Sequence, residues 1–199
     1  MNPLSSLCFS LGTSKFDNTP MQGCARNFDA FEATVAANRS KRKGGAYFCA
    51  GMREGLHPNR LKFPARRRYR LASLAMPRRF ICLDHDSYAS PEVFKALMCD
   101  LQAYRGFAYQ TWSSTPSLPR ARIVLAIDRC VDRVAGIALC EAFDQVLLAI
   151  YGAKTIKSDS SVYRAEQPCY SPGPDAEIYR FEGDVLSVER FLGDRYVGC

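Results

Sequence analysis

The chain has 199 residues, 47% hydrophobic and 24% charged, the balance of a globular protein with room for one sizeable core. Its 27 Lys and Arg against 20 Asp and Glu leave a net charge of +7, which favours a polyanionic partner, nucleic acid or nucleotide phosphates, without choosing between them. Nine cysteines without a CxxC pair, beside only two histidines, argue against a zinc site and a disulfide framework and read as free thiols of a reducing cytoplasm; no secretory leader and no membrane span is expected.

Residues 1–25 read as an irregular lead-in. A short helix is expected over Phe28–Asn38, with Asn27 as its cap and Phe28, Phe31 and Val35 on one face. A basic turn, Arg39-Ser40-Lys41-Arg42-Lys43-Gly44-Gly45, leads into a short strand at Ala46–Gly51. Residues 52–66 form a long connection. Arg60–Arg70 carries six basic residues in eleven, interleaved with aromatics. Such a mixture suits single-stranded nucleic acid, where cations take phosphates and rings stack on bases; the other reading is a solvated basic loop. Residues 67–74 are expected to continue as a strand.

Phe80-Ile81-Cys82-Leu83 reads as a buried strand ending in Asp84-His85-Asp86. Ser90 caps and Pro91 opens a helix to about Tyr104, with Val93, Phe94, Leu97, Met98, Leu101 and Tyr104 facing the core and Gly106 as its stop. Strands follow at Phe107–Ser113 and Arg120–Ile127. Asp132 caps a long helix ended by Gly152, its expected buried face Val134, Ile137, Ala138, Phe143, Val146, Leu147 and Ile150. The remainder is loop-rich, with short strands near Cys169–Tyr170 and Ala176–Phe181. The β-α-β-β-α-β order over 79–181 is that of a split βαβ, ferredoxin-like or RRM-like sheet. The fold class is α/β (α+β): a single domain, with a smaller N-terminal α/β unit over 1–75 and the RRM-like core over 76–185.

Four features carry chemistry. Side chains alternate along a strand, so Asp84 and Asp86 share a face and His85 takes the other. Two neighbouring carboxylates repel unless a cation lies between them, which suits Mg²⁺ or Mn²⁺, unless the acids merely begin a solvated loop. Arg120 and Arg122 share one face of their strand as paired forks for phosphate oxygens, or else are two edge arginines. Ser113-Ser114-Thr115 offers hydroxyls or makes a plain turn, and Asp159 stands in a polar loop where an aspartate is commonly a turn former.

Taken in order, a strand ending Leu83-Asp84-His85-Asp86, a helix, Tyr109-Gln110-Thr111-Trp112-Ser113-Ser114-Thr115-Pro116, then Pro119–Leu125, a long helix and an Asp-bearing loop before Tyr170-Ser171-Pro172, the chain resembles the archaeo-eukaryotic primase superfamily, in particular the primase-like domains of plasmid and phage replication proteins. The resemblance covers about residues 40–185. It implies two-metal nucleotidyl transfer, with Asp84, Asp86 and Asp159 as catalytic metal ligands for Mg²⁺ or Mn²⁺ and with Ser113, Ser114, Arg120 and Arg122 on the incoming nucleoside triphosphate. Lys41, Arg42, Lys43, Arg66, Arg67, Arg68 and Arg70 would hold a single-stranded DNA template by its phosphates. A replicative helicase or initiator protein is the partner class such a domain implies. The family's second motif has a histidine where this chain has Ser114. That departure favours a competing reading, a primase-derived module that binds DNA and synthesises nothing. An unrelated RRM-like RNA binder lacks its aromatic strand motif here, and the lack of a Walker A loop excludes a P-loop NTPase; a small phosphohydrolase would use the same acids.

Overall fold

The computed structural model describes residues 6–193; Met1–Ser5 of the expected lead-in and Cys199 lie outside the described residues. The strands and helices are β1 (Leu7–Gly12), β2 (Met21–Ala25), α1 (Phe28–Ala37), β3 (Tyr47–Ala50), β4 (Arg78–Tyr88), α2 (Pro91–Asp100), β5 (Arg105–Gln110), β6 (Ala121–Val131), α3 (Arg133–Tyr151), β7 (Ile156–Ser158), β8 (Cys169–Tyr170), β9 (Ile178–Glu182) and α4 (Val188–Leu192). The fold is α+β, built on two antiparallel sheets ordered β2-β1-β3-β8 and β7-β4-β6-β5-β9.

Local chemistry sets the helix ends. The Asn27, Ser90 and Asp132 side chains accept from the backbone N–H of Ala30, Val93 and Ala135, occupying donors that the first helical turn leaves free. Pro91 begins α2, where its missing N–H costs nothing, and Gly152 ends α3 at φ 94°, which a side chain resists.

In the larger sheet the run β4-α2-β5-β6-α3-β7 places its four strands side by side in the order fourth, first, third, second, and β9 adds a fifth beside β5. One face packs on α2 and α3. The other packs on α1 and the smaller sheet, and Phe31 of α1 joins them. Its ring is fully buried and lies 4.8–6.2 Å, centroid to centroid, from Phe9 of β1, Phe28, Phe48 of β3, Phe80 of β4 and Phe107 of β5. Buried residues of both sheets meet in one contiguous core, while Tyr47 and Cys49 of β3 form a small separate cluster with Met52.

Several elements differ from the sequence reading. Residues 7–25 are a hairpin, because Leu7 and Phe9 turn inward from β1 and bury against α1 and β3. Cys8 and Cys24 lie directly opposite in that hairpin with sulfurs 3.5 Å apart, and all eight cysteines among the described residues are free. Residues 67–74 make one isolated bridge, Arg67 with Gly55, and one 3₁₀ turn, Ala72–Leu74, in place of a strand. The fourth strand of the split unit is the three-residue β7, while Cys169–Tyr170 joins the smaller sheet. Gly106 does not stop α2; it sits within β5, where an added Cβ would lie 2.5 Å from the Val124 carbonyl.

The buried face of α3 is Ala135, Gly136, Leu139, Cys140, Phe143, Asp144 and Leu147, leaving Val134, Val146 and Ile150 exposed. The stripe is rotated from the purely apolar one because Asp144 is bonded inward. Its carboxylate is 3.1 Å from His85 Nε2 and accepts from the hydroxyls of Ser158 and Tyr163 at 3.0 and 2.8 Å. By length and composition α3 would pass as a membrane span, but these inward hydrogen bonds and this packing are those of a core helix.

Burial pushes the Asp144 carboxyl up, and hydrogen bonds from His85, Ser158 and Tyr163 more than offset it, so its pKa lies below the ordinary value. A carboxylate only accepts, so His85 Nε2 carries the proton facing it. Nδ1 shares a hydrogen bond with the Tyr88 hydroxyl, 3.0 Å away, whose phenol is held well above its ordinary pKa by burial and by the charges of Asp84 and Asp144. A depressed carboxyl pKa contributes stability that is complete above the ordinary carboxylate range and lost as pH falls through the folded value. Asp144→Asn is therefore expected to cost about 1–3 kcal/mol at neutral pH and to flatten the acid limb of the stability profile, measured by urea denaturation between pH 7 and 3. An unchanged acid limb would show that other carboxyls govern it.

Candidate functional site

The apolar part of β4 ends at Leu83, and its last turn of alternation brings Asp84 and Asp86 to the face shared with the smaller sheet. Directly opposite Asp84 on β6 is Arg122, and opposite Arg122 on β5 is Tyr109. Facing residues of an antiparallel pair share a side, so the three line up across the sheet. Arg122 Nη2 donates to Asp84, and Nη1 donates to the Tyr170 carbonyl at 2.8 Å, which also accepts from the Tyr109 hydroxyl at 2.8 Å. The pair is buried, with side-chain exposures of 6% for Arg122 and 11% for Asp84, so water screens it little. Burial works against the Arg122 charge, but Asp84 and Tyr109 beside it outweigh that and hold the guanidinium firmly protonated. Arg120 and Asp86, half-exposed, form a looser pair at 4.0 Å.

Asp84, Asp86, Arg120 and Arg122 floor a cavity of about 300 Å³ between the two sheets. Its walls come from four loops. The turn Ser40–Gly44 is held by the Ser40 N–H on the Pro172 carbonyl and by Gly44 at φ 67°, and it presents Arg42 and Lys43. Thr111–Ser113 presents Trp112 and Ser113. Asp159 enters because its N–H donates to the Asp84 carbonyl at 2.8 Å, extending the β4–β7 ladder. Gln167–Ser171 closes the last side.

Asp84, Asp86, Asp159, Ser113, Arg120, Arg122, Arg42 and Lys43 thus line one cavity, although they come from separate stretches of sequence. His85 points to the opposite face, into the Asp144 network. Lys41 is exposed and outside the cavity lining. Arg66, Arg67 and Arg68 line a second groove beside β2, where Arg68 pairs with Glu54 at 3.1 Å and donates to Gln22. Arg70 lies 5.4 Å over the Tyr47 ring and donates to the Lys15 carbonyl. The basic residues therefore divide between two surfaces, where the sequence reading treats them as one template contact.

Ser114 differs most. Its hydroxyl accepts the Arg120 backbone N–H at 3.0 Å, closing the loop between β5 and β6, and it is not part of the cavity wall; Ser113 is. Ser114→His removes the acceptor of Arg120 N–H, so the loop between β5 and β6 is expected to loosen, and hydrogen exchange at Arg120 as slow as in the wild type would contradict the role of Ser114 in closing it.

The oxygen donors that a hard dication prefers are present as three cavity carboxylates, with no competing His or Cys in the wall. They are not gathered into a ready cluster: among the described residues no group of three or more His, Cys, Asp or Glu is placed to hold a metal. Asp84 is neutralised by Arg122, and both oxygens of Asp159 accept from Ser161, one from its N–H and one from its hydroxyl, at 2.9 Å each. The donor chemistry fits Mg²⁺ or Mn²⁺.

Trp112 is the cavity residue that the sequence reading passed over. Its signal is its position between Thr111 and Ser113, inside the motif already singled out. The chain matches no protein-family model, and no curated protein and no solved structure is significantly similar to it.

Proposed function

We propose that the chain is a primase-like nucleotidyltransferase that extends or begins primers on single-stranded DNA with Mg²⁺ or Mn²⁺. One observation carries the reading: three carboxylates, two arginines, a serine and two turn cations, widely separated in sequence, line one cavity. The strand order of the larger sheet supports it, since a β-α-β-β-α-β run with strands ordered fourth, first, third, second is the ferredoxin-like and RRM-like arrangement. The smaller sheet would be the N-terminal subunit of a primase-like fold.

In this reading Arg120 and Arg122 take triphosphate oxygens, and Ser113 donates to them from the adjoining turn. Arg42 and Lys43, solvent-exposed at the rim, hold the template strand by its phosphates. Asp84, Asp86 and Asp159 would hold the dication, which would make a 3′-hydroxyl more acidic and offset charge on the leaving pyrophosphate. A replicative helicase or initiator in the cytoplasm is the partner class that fits such a domain.

The test is incubation with single-stranded template, labelled nucleotides and Mn²⁺ or Mg²⁺. Short oligonucleotide products are expected. Asp86→Asn, a half-exposed position whose change spares the buried pair, is expected to lower their yield by about 10²-fold or more, the order of loss when one group stabilising transition-state charge is removed. A second reading is favoured by the buried Asp84–Arg122 pair and by Ser114 in place of the histidine: a module that binds DNA without synthesis. Retained DNA binding with no product under any metal would decide for it.

A further inference from the structure

Trp112 is the chain's single tryptophan and is 47% exposed, an unusual placement for the largest apolar side chain. It stands in the wall of the cavity whose floor carries Arg120 and Arg122. The ring is held in place. Its backbone lies in a turn fixed at both ends, by Thr111 N–H on the Arg120 carbonyl at 3.0 Å and by Ser114 N–H on the Thr111 carbonyl at 2.9 Å. One edge of its six-membered ring rests on Gly173, where an added Cβ would come 3.1 Å from Cε3. Gly173 is itself anchored, since Arg39 Nη1 donates to the carbonyls of Gly173 and Ala176 at 2.9 and 2.7 Å. A braced apolar plane at the mouth of a cavity lined by Arg42, Lys43, Arg120 and Arg122 beside three carboxylates is what a ligand with a flat aromatic end and an anionic end that brings its own dication would fit.

We infer that Trp112 stacks on the nucleobase of the nucleoside triphosphate whose phosphates reach Arg120 and Arg122. The inference rests on the nucleotide reading of the cavity and adds the base-binding half of the site. Stacking uses the π-face that every base has, so this contact supplies affinity and orientation without selecting one base by hydrogen bonds.

Because Trp112 is the sole tryptophan, emission excited at the red edge of the absorption band, where the ten tyrosines do not absorb, reports on this ring alone. ATP, titrated in the presence of Mg²⁺, is expected to quench it. Inorganic triphosphate, followed by displacement of labelled ATP, is expected to bind with little quenching. Trp112→Ala should weaken ATP binding about 5- to 150-fold, the range of one base–aromatic stack, and leave triphosphate binding within about twofold. Trp112→Phe, which keeps a ring, should recover most of the loss. The inference is overturned if Trp112→Ala binds ATP as wild type does. It is also overturned if ATP and triphosphate weaken equally, since the residue then only shapes the wall. If neither ligand binds the wild-type chain, the nucleotide reading itself fails and this inference with it.

Discussion

Arg122→Ala is expected to lose about 3–5 kcal/mol of stability, because it leaves the Asp84 carboxylate buried without its partner. For a chain of this size that corresponds to a fall in Tm of about 6–20 °C. The loss has two parts. The Asp84 charge loses its counter-charge in a place that water barely reaches. The Tyr170 carbonyl loses one of its two donors and keeps the Tyr109 hydroxyl, so this second part is small. Paired replacement, Asp84→Leu with Arg122→Met, removes both charges and is expected to recover most of the stability, since well-packed apolar pairs often do as well as buried ion pairs. Urea denaturation of the three variants measures this. A loss below about 1 kcal/mol in Arg122→Ala would mean that the pair is screened by water as surface pairs are. The stable double variant also tests the proposed function apart from the fold: the nucleotide binding proposed for the cavity should be absent in a protein that remains folded.

Phe31→Ala is expected to cost about 3–5 kcal/mol, the range for emptying a buried aromatic site. Five phenylalanine rings surround Phe31, from α1 itself and from strands of both sheets, so no single neighbour can move to fill the space. The hole falls where the two sheets meet. Loss should therefore be shared: far-ultraviolet circular dichroism and Trp112 fluorescence should report one coincident transition at lower denaturant. Two separated transitions would mean that the region over 1–75 and the core over 76–185 unfold independently. Phe31→Leu, which keeps most of the volume, should cost less.

Caps and periodicity made much of this architecture legible from residues alone. Asn27, Ser90 and Asp132 announce helix starts because their side chains satisfy donors within three residues, a strictly local matter. The β4 strand and the opposed directions of Asp84 and His85 also follow from the chain's own alternation. The hairpin at 7–25 escaped notice although Leu7, Phe9 and Leu11 alternate, because its weak pattern is stabilised only by α1 and β3 arriving from later in the chain. β7 has three residues and a single buried apolar one, too short to signal itself; it exists because the β4 edge offers hydrogen bonds. Asp144 has no place in the purely apolar stripe expected for α3, and bonds from His85, 59 residues away, and from Ser158 and Tyr163 make its burial tolerable.

The acids, arginines and serines of the cavity could be named from sequence because their types and order carry chemistry. How they combine was decided by cross-strand register. Arg122 sits opposite Asp84, so it neutralises a carboxylate as well as facing the cavity. Ser114 closes a loop while Ser113 faces inward, a difference of one residue in a turn. Arg42 and Lys43 reach the site and Arg66–Arg68 do not, because β3 pairs with β8 while the 66–68 segment packs beside β2. Composition states how much positive charge a chain carries; only the packing of loops contributed by distant segments states which surface receives it.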